Sequence, residues 1–382
     1  MKRYARHLVV ATLFAALVLG KGEISRGVGD APSEREGDSL RVQQAQEGNL
    51  LVNSSMEEGF YWKYPNHYVA NGWQRWWIGG AIPEYDDVRA WRPHRYDGDH
   101  AQVYFRWGRP YTAGIYQRVA VRPCTYYQFS MYGRNHSNLN LNHHARIGID
   151  PLGREYGLYM SSFPSDIAWS PEQTFFYIWG LHTVTAESRS DYVTAITHVS
   201  PDSVYTTYDT FWDAGALVEL PPPPGRLPDP SNWESNGFIT RVISYTQSGN
   251  LVIEWETAEP ASAQVWYQVH TPLPSSTPPT TPTGTPLVPA IYLPVVMSSH
   301  TLDPSAYSMY TPIDPSYLTH HQAVIKRLRE GQIVEFVILA RHLVSDTCST
   351  SSSAPLEIMV VFKPPVPPPQ DPADDVGVER RQ

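Results

Sequence analysis

The chain is poor in cysteine and in charge, and each shortage excludes something. Two cysteines in 382 residues, Cys124 and Cys348, cannot build a disulfide framework; they read as two isolated thiols, with a single bridge between them as the alternative that export would permit. Charged residues are 18% of the chain and the net charge of -9 is spread out. No basic stripe is present, which argues against a nucleic-acid partner and against docking on an anionic membrane. Beyond the N-terminus there is no apolar run near the ~20 residues that a membrane-crossing helix needs. Catalytic signatures are missing too: no G-x-S-x-G, H-E-x-x-H or phosphate-binding loop occurs. His143-His144 and His320-His321 are adjacent pairs, which on a strand point to opposite faces and make poor joint ligands.

Aromatic residues and proline are plentiful: 24 Tyr, 12 Trp and 35 Pro. The rings favour sheets and the prolines break helices, so the class is all-β. Gly114 to Pro151 shows it most clearly. Tyr127, Phe129 and Met131 alternate with Tyr126, Gln128, Ser130 and Tyr132, and Ala145, Ile147 and Ile149 alternate with Arg146, Gly148 and Asp150. Period-two runs separated by Pro123 and an Asn/His-rich turn predict consecutive strands of an antiparallel sandwich. At the N-terminus, Lys2, Arg3 and Arg6 precede the apolar Leu8–Gly20. That pattern predicts a signal peptide over 1–20, with an uncleaved anchor as the alternative, a flexible lead-in over 21–48 and a mature protein working outside the cytoplasm, with no membrane span after signal removal.

The run Gln117, Val119, Val121, Pro123, Tyr127, Phe129, Ser130, Tyr132-Gly133-Arg134 and Gly148-Ile149-Asp150-Pro151 resembles carbohydrate-binding modules of the galactose-binding-like jelly-roll type. NLLVNSSMEEGF and YDTFWDAGALVEL resemble that module's opening and closing strands, so the resemblance covers about 49–220. It implies a jelly-roll β-sandwich, a glycan ligand and a cleft that Gln117 borders. It also implies a structural calcium, with Glu57 and Asp213 at the matching positions.

A sugar cleft needs flat aromatic faces for the C–H faces of the ring and polar groups for its hydroxyls. Aromatics crowd the stretch from Phe60 to Tyr116, Trp62 among them, and the expected ligand-binding residues are Trp73, Trp76, Trp77, Trp91, Tyr104, Trp107, Tyr116 and Gln117. The competing role of such rings is to fill the core. Trp76 and Trp77 are neighbours on a strand and cannot both face inward, so one of them is expected to be bare or in a loop.

A proline-rich linker spans 221–236, and a second module follows over 237–363. Val242–Tyr245, Leu251–Glu256 and Gln264–Val269 read as three strands, and QAVIKRLREG as a strand leading into a turn rather than a helix. Trp255 with Thr257, Val265-Trp266-Tyr267 and the frame of Leu328, Gly331 and Phe336 resemble a fibronectin type III domain like the one before purple-acid-phosphatase catalytic domains. Two features depart from it. Val334 stands where the frame has its tyrosine, and a Ser/Thr/Pro-rich insertion over about 271–304 is too long for a normal strand connection. Within that insertion AIYLPVVM reads as an edge strand, and 364–382 as a proline-rich tail. The metal-ligand motifs of a phosphatase are absent, so that resemblance carries no phosphatase activity.

The expectation is therefore an exported, non-enzymatic glycan-binding protein with a polysaccharide or cell-surface glycan as partner and the second module as spacer. A surface adhesive protein working through protein contacts is the alternative. A weak glycosidase is a third, drawing on Asp86, Asp87, Asp97 and Asp99; it would need two carboxylates roughly 5–9 Å apart in a cleft. Asn53 and Asn135 head Asn-x-Ser sequons.

Overall fold

The computed structural model describes residues 48–63, 67–79, 81–89, 92–202, 206–222, 225–230, 235–271, 296–297 and 307–360. The expected signal peptide and lead-in, Trp91, the Ser/Thr/Pro tract and the proline-rich tail lie outside these residues.

The structure is all-β. In chain order come β1 (Phe60–Lys63), β2 (His67–Ala70), β3 (Gln74–Ile78), β4 (Glu84–Asp87), a 3-10 turn (Arg92–His94), β5 (Gln102–Trp107), β6 (Thr112–Ala120) and β7 (Tyr126–Ser137). Next are β8 (Arg146–Asp150), β9 (Tyr159–Met160), β10 (Ala168–Trp169), β11 (Gly180–Glu187), β12 (Tyr192–His198) and β13 (Thr207–Glu219). These thirteen strands form two stacked sheets: a seven-stranded one ordered β1-β2-β4-β5-β13-β7-β11 and a six-stranded one ordered β10-β8-β12-β6-β3-β9.

Alternation decides what each strand buries. On β7, Tyr127, Phe129 and Met131 go into the core with Ile147 and Ile149 from β8 and Tyr104 and Trp212 from β5 and β13. Each such side chain contributes ~1.5–3 kcal/mol by leaving water. β3 divides its two indoles as the period requires: Trp77 enters this core, and Trp76 points to the other side of the six-stranded sheet. That other side is not bare. The chain from Tyr156 to Trp169 folds over it and seals a second cluster of Trp76, Tyr116, Tyr156, Ile167 and Ile196, with Phe163 and Trp169 against it. Gly148 is required here, because a Cβ would sit 2.6 Å from the Trp169 ring.

The second module contains β14 (Ile239–Gln247), β15 (Asn250–His270), β16 (Val296–Met297), β17 (Met309–Tyr310), β18 (Asp314–Ile325), β19 (Ile333–Val344), β20 (Thr347–Ser352) and β21 (Leu356–Met359). Two of the expected strands are fused in β15. Its first half pairs with β14 and β18, and its second half with β17 and β19. The register against β18 shifts between Glu256 and Ala263. Pro260 lies there and has no N–H to give a ladder, so the strand bends across the corner instead of stopping. Leu251, Ile253, Trp255, Val334, Phe336 and Ile338 share the core, and β16 pairs with β21.

The linker is not free. Leu227 packs against Trp266, Tyr307, Val337 and Leu339, the Arg226 guanidinium lies 3.4 Å from the centre of the Trp266 ring, and the Gln264 amide bonds to Leu227 N and Gly225 O. The two cysteines are not isolated thiols either: Cys124 and Cys348 form a disulfide across 224 residues. Cys124 sits in the turn before β7 with positive φ, and β20 brings Cys348 to it. Tertiary placement made the pair, and nothing local in the sequence signals it. Arg341 makes a two-pronged ion pair with Glu187 (2.9 Å twice), and Arg122 donates to Pro315 O (2.7 Å), beside the same junction. Among the described residues no helix is long and apolar enough to cross a membrane.

Candidate functional site

Six of the eight expected ligand-binding residues are structural, which corrects that expectation. Trp73, Trp76 and Tyr104 are fully buried, and Trp77, Tyr116 and Gln117 nearly so. Trp73 Nε1 donates to Asn53 O, and Tyr104 links Thr197 Oγ1 (3.2 Å) to Trp212 Nε1 (2.6 Å). The Tyr116 hydroxyl donates to Tyr156 O, fastening the covering segment. Gln117 brackets Val52, accepting from its N (2.7 Å) and donating to its O (2.8 Å), so it pins the opening stretch instead of bordering a cleft. The physical reason is common to all: large rings gain most from water exclusion, and both faces of the six-stranded sheet are covered. Trp91 lies outside the described residues. Trp107 differs, being 72% exposed.

Trp107 stands on the outer face of the seven-stranded sheet, and the register shows what shares that face. Trp107 pairs with Thr207, Phe105 with Asp209 and Val103 with Phe211. One strand further, Asp209 pairs with His136, Phe211 with Arg134 and Asp213 with Tyr132. Toward the other edge Trp62 pairs directly with Tyr68, and both point outward, 53% and 40% exposed. Trp62 was visible in the aromatic stretch, but nothing in its neighbourhood set it apart from the buried rings. Tyr177, also exposed, leans on His136 with ring centres 4.8 Å apart. It lies outside that stretch and only the fold could bring it here.

Part of this face is roofed by the segment 92–100. His94 stacks on Phe211 (4.4 Å) and Tyr96 on Tyr132 (3.7 Å), and Trp179 Nε1 donates to Pro93 O. His136 Nδ1 is 3.1 Å from Asp209 Oδ2, which places an ion-pair partner beside the rings. Burial raises the Asp209 carboxyl, and His136 partly offsets that. Burial first, then the nearby Arg134 charge, pushes His94 down to about 4, so it is neutral at pH 7. The face thus offers flat apolar surfaces flanked by hydrogen-bonding groups, a combination that suits a polyhydroxylated ring better than a purely apolar ligand.

Glu57 and Asp213 both hold the roofing segment. Asp213 Oδ2 accepts from Tyr96 N (2.8 Å) and Asp97 N (3.0 Å), and Glu57 Oε1 accepts from Asp99 N (2.9 Å) and His100 N (2.8 Å). Gly98 lies so close that a Cβ would meet Glu57 Cδ at 2.4 Å. Burial pushes Asp213 up to about 8 in spite of its N–H donors. Among the described residues no group of three or more His, Cys, Asp or Glu side chains is gathered as a metal site. Both sequon asparagines are buried. Asn53 donates to Gly59 O and Asn71 O, and Asn135 accepts from Phe175 N, so neither presents its amide to solvent.

No protein-family model and no curated protein matches the chain. Solved structures do align, carbohydrate-binding modules among them. The module TmCBM61, determined with β-1,4-galactotriose, is 13% identical, with 45% of this chain and 99% of that one covered and a TM-score of 0.31. The tandem CBM22-1–CBM22-2 of Paenibacillus barcinonensis Xyn10C is 10% identical over 83% and 91%, with a TM-score of 0.32. The adhesin domain of Epf from Streptococcus pyogenes is 8% identical over 71% and 80%, with a TM-score of 0.28. Likeness at these TM-scores carries no argument about function, which rests on the geometry of the face itself.

Proposed function

We propose that this is an exported, non-catalytic protein that binds a glycan along the outer face of its seven-stranded sheet. The ligand's rings stack on Trp107 and on the Trp62–Tyr68 pair, and His136, Asp209 and Tyr177 meet its hydroxyls. The observation that carries the reading is that these flat side chains are bare on one sheet face while the Trp76–Tyr116 cluster on the opposite sheet is sealed. Export rests on the N-terminal charged-then-apolar pattern. The second module acts as a fibronectin type III-like spacer, supported by its division into β14-β15-β18 and β17-β15-β19 with β20 and β21 beyond. A structural calcium at Glu57 and Asp213 is part of the same reading. The donors are all oxygen, which suits that hard cation, and a sealed carboxylate that its N–H partners leave undercompensated favours a positive charge nearby. The ion would tie the roofing segment to the sheet.

Affinity electrophoresis against a panel of neutral and acidic polysaccharides tests the binding. At least one polymer should retard the wild type. Trp107→Ala or Trp62→Ala should each weaken retention about tenfold, equivalent to ~1.4 kcal/mol, as expected for a ring at the centre of a contact. If no polymer is retained and the protein self-associates, contacts between proteins are its function instead.

A further inference from the structure

We infer that the outer face of the seven-stranded sheet takes an acidic glycan and that Arg134, at the edge of the roofed part, reads the glycan's carboxylate. This rests on the glycan-binding reading and adds the ligand's chemical class.

Several arginines of the first sandwich have a carboxylate partner, and Arg134 does not. Arg89 pairs with Asp87, Arg95 with Asp99, Arg122 with Glu219, Arg146 with Glu172, and Arg154 and Arg189 with Asp166. Arg134 is only 9% exposed, its Nε makes no hydrogen bond, and it forms no ion pair with any described residue. Its place on β7 puts it in the outward row, between Tyr132 and His136 and opposite Phe211. His94, which stacks on Phe211, and Tyr177 are the groups that feel its charge. Asp209, the carboxylate in the adjacent row, is engaged by His136.

A guanidinium cannot shed its proton to escape burial. Holding one largely out of water without a counter-charge is costly. Such a cost is offset when a ligand brings the missing anion. The planar fork of five N–H donors fits a carboxylate bidentately, and the rings around it fit the body of the sugar that carries the carboxylate. A neutral sugar could accept single hydrogen bonds there but would leave the charge uncompensated. The matching ligand is therefore a polymer of uronic acids.

The test compares polygalacturonate, alginate and hyaluronate with the carboxyl-reduced form of each, by affinity electrophoresis and calorimetry, on wild type, Arg134→Met and Trp107→Ala. Wild type should bind at least one acidic polymer tenfold or more tighter than its reduced form, and added salt should narrow the gap. Arg134→Met should abolish that preference, weaken binding to the reduced polymer far less than binding to the acidic one, and not lower the melting temperature, because an unpaired buried charge has been removed. Trp107→Ala should weaken both forms equally. The inference is overturned if wild type binds acidic and reduced forms alike, if Arg134→Met keeps the preference, or if Arg134→Met melts markedly lower, which marks a structural arginine. Should Arg134→Met fail to fold, Arg134→Lys decides: it keeps the charge but loses the fork, so an unchanged preference overturns the inference and a reduced one supports it. If neutral polymers bind and no acidic preference exists, the glycan reading survives without this inference. Retention of no polymer at all sinks both.

Discussion

The two outer faces of the first sandwich carry similar side chains and have opposite fates. The six-stranded sheet presents Trp76, Tyr116, Ile196 and His198 outward, and the chain from Tyr156 to Trp169 closes over them. On the seven-stranded sheet the outward set is Trp62, Tyr68, Trp107, Phe105 and His136, and the roofing segment 92–100 covers only the part around Phe211 and Tyr132. Composition does not separate these faces. What separates them is the length and aromatic content of the connection that crosses each: the first brings Tyr156, Phe163, Ile167 and Trp169 to complete a second core, whereas the roofing segment brings His94 and Tyr96, held down by Asp213 and Glu57. A face so covered contributes stability, while a face left open exposes surface that folding has not used and that a ligand can use.

Two tryptophans, one on each face, should respond to truncation in opposite ways. Trp76 is fully buried, with Phe163 edge-on at 4.6 Å and His198 at 5.5 Å. Trp76→Ala should cost ~3–5 kcal/mol of stability, the range for removing a core aromatic. Trp107→Ala, at a site 72% exposed, should leave stability within ~0.5 kcal/mol and act on glycan retention alone. Denaturant titration of both variants checks it. Equal loss of stability from the two would mean that Trp107 is also covered in solution and that the open face does not exist.

These fates also explain how much could be read from the chain. Period two grouped Tyr127, Phe129 and Met131, and Ile147 and Ile149, on single strand faces, and those are the faces the core buries, because burial of one sheet face writes itself into every second residue. The same rule separated Trp76 from Trp77 but could not say that the far side of Trp76 is covered. That depends on where residues 156–169 travel, and no local pattern encodes it. Gln117 had the right chemistry for a ligand and spends both of its amide groups on the Val52 backbone. Trp62 and Trp73 differ only in the direction each side chain takes from its own short strand or turn. Arg134 and His136 share β7, but Tyr177 reaches them only through the distant bridge between Asn135 and Phe176, and Cys124 meets Cys348 across 224 residues. The sandwich is therefore legible in its alternation, and its site is not, since a site consists of what tertiary covering leaves exposed.

A finer test uses two buried titrating groups, one on each face, whose signs oppose. On the covered face, burial and the neighbouring Arg146 push His198 down to about 3. The unfolded chain takes up a proton near 6.5 and the folded one does not, so this contribution to stability is complete above pH 6.5 and is lost as pH falls toward 3. His67, His143 and His182, each pushed down to about 4 with burial the largest cause, add to the same acid limb. Asp213, under the roof of the open face, works the other way. Its carboxyl titrates at 3.8 when unfolded and at about 8 when folded, so its contribution is complete below pH 3.8 and is lost as pH rises through 8. Melting temperature against pH should therefore fall on both sides of a maximum. His198→Phe should flatten the acid limb, and Asp213→Asn the alkaline one, by a few degrees each, at roughly 2–4 °C per kcal/mol. A calcium ion held by the ionised Asp213 would reverse only the alkaline loss. Millimolar calcium should then raise the melting temperature at pH 8 and do little at pH 5, and Asp213→Asn should remove the response. Equal stabilisation at both pH values, or none at either, would place calcium elsewhere or nowhere and leave the roof held by its hydrogen bonds alone.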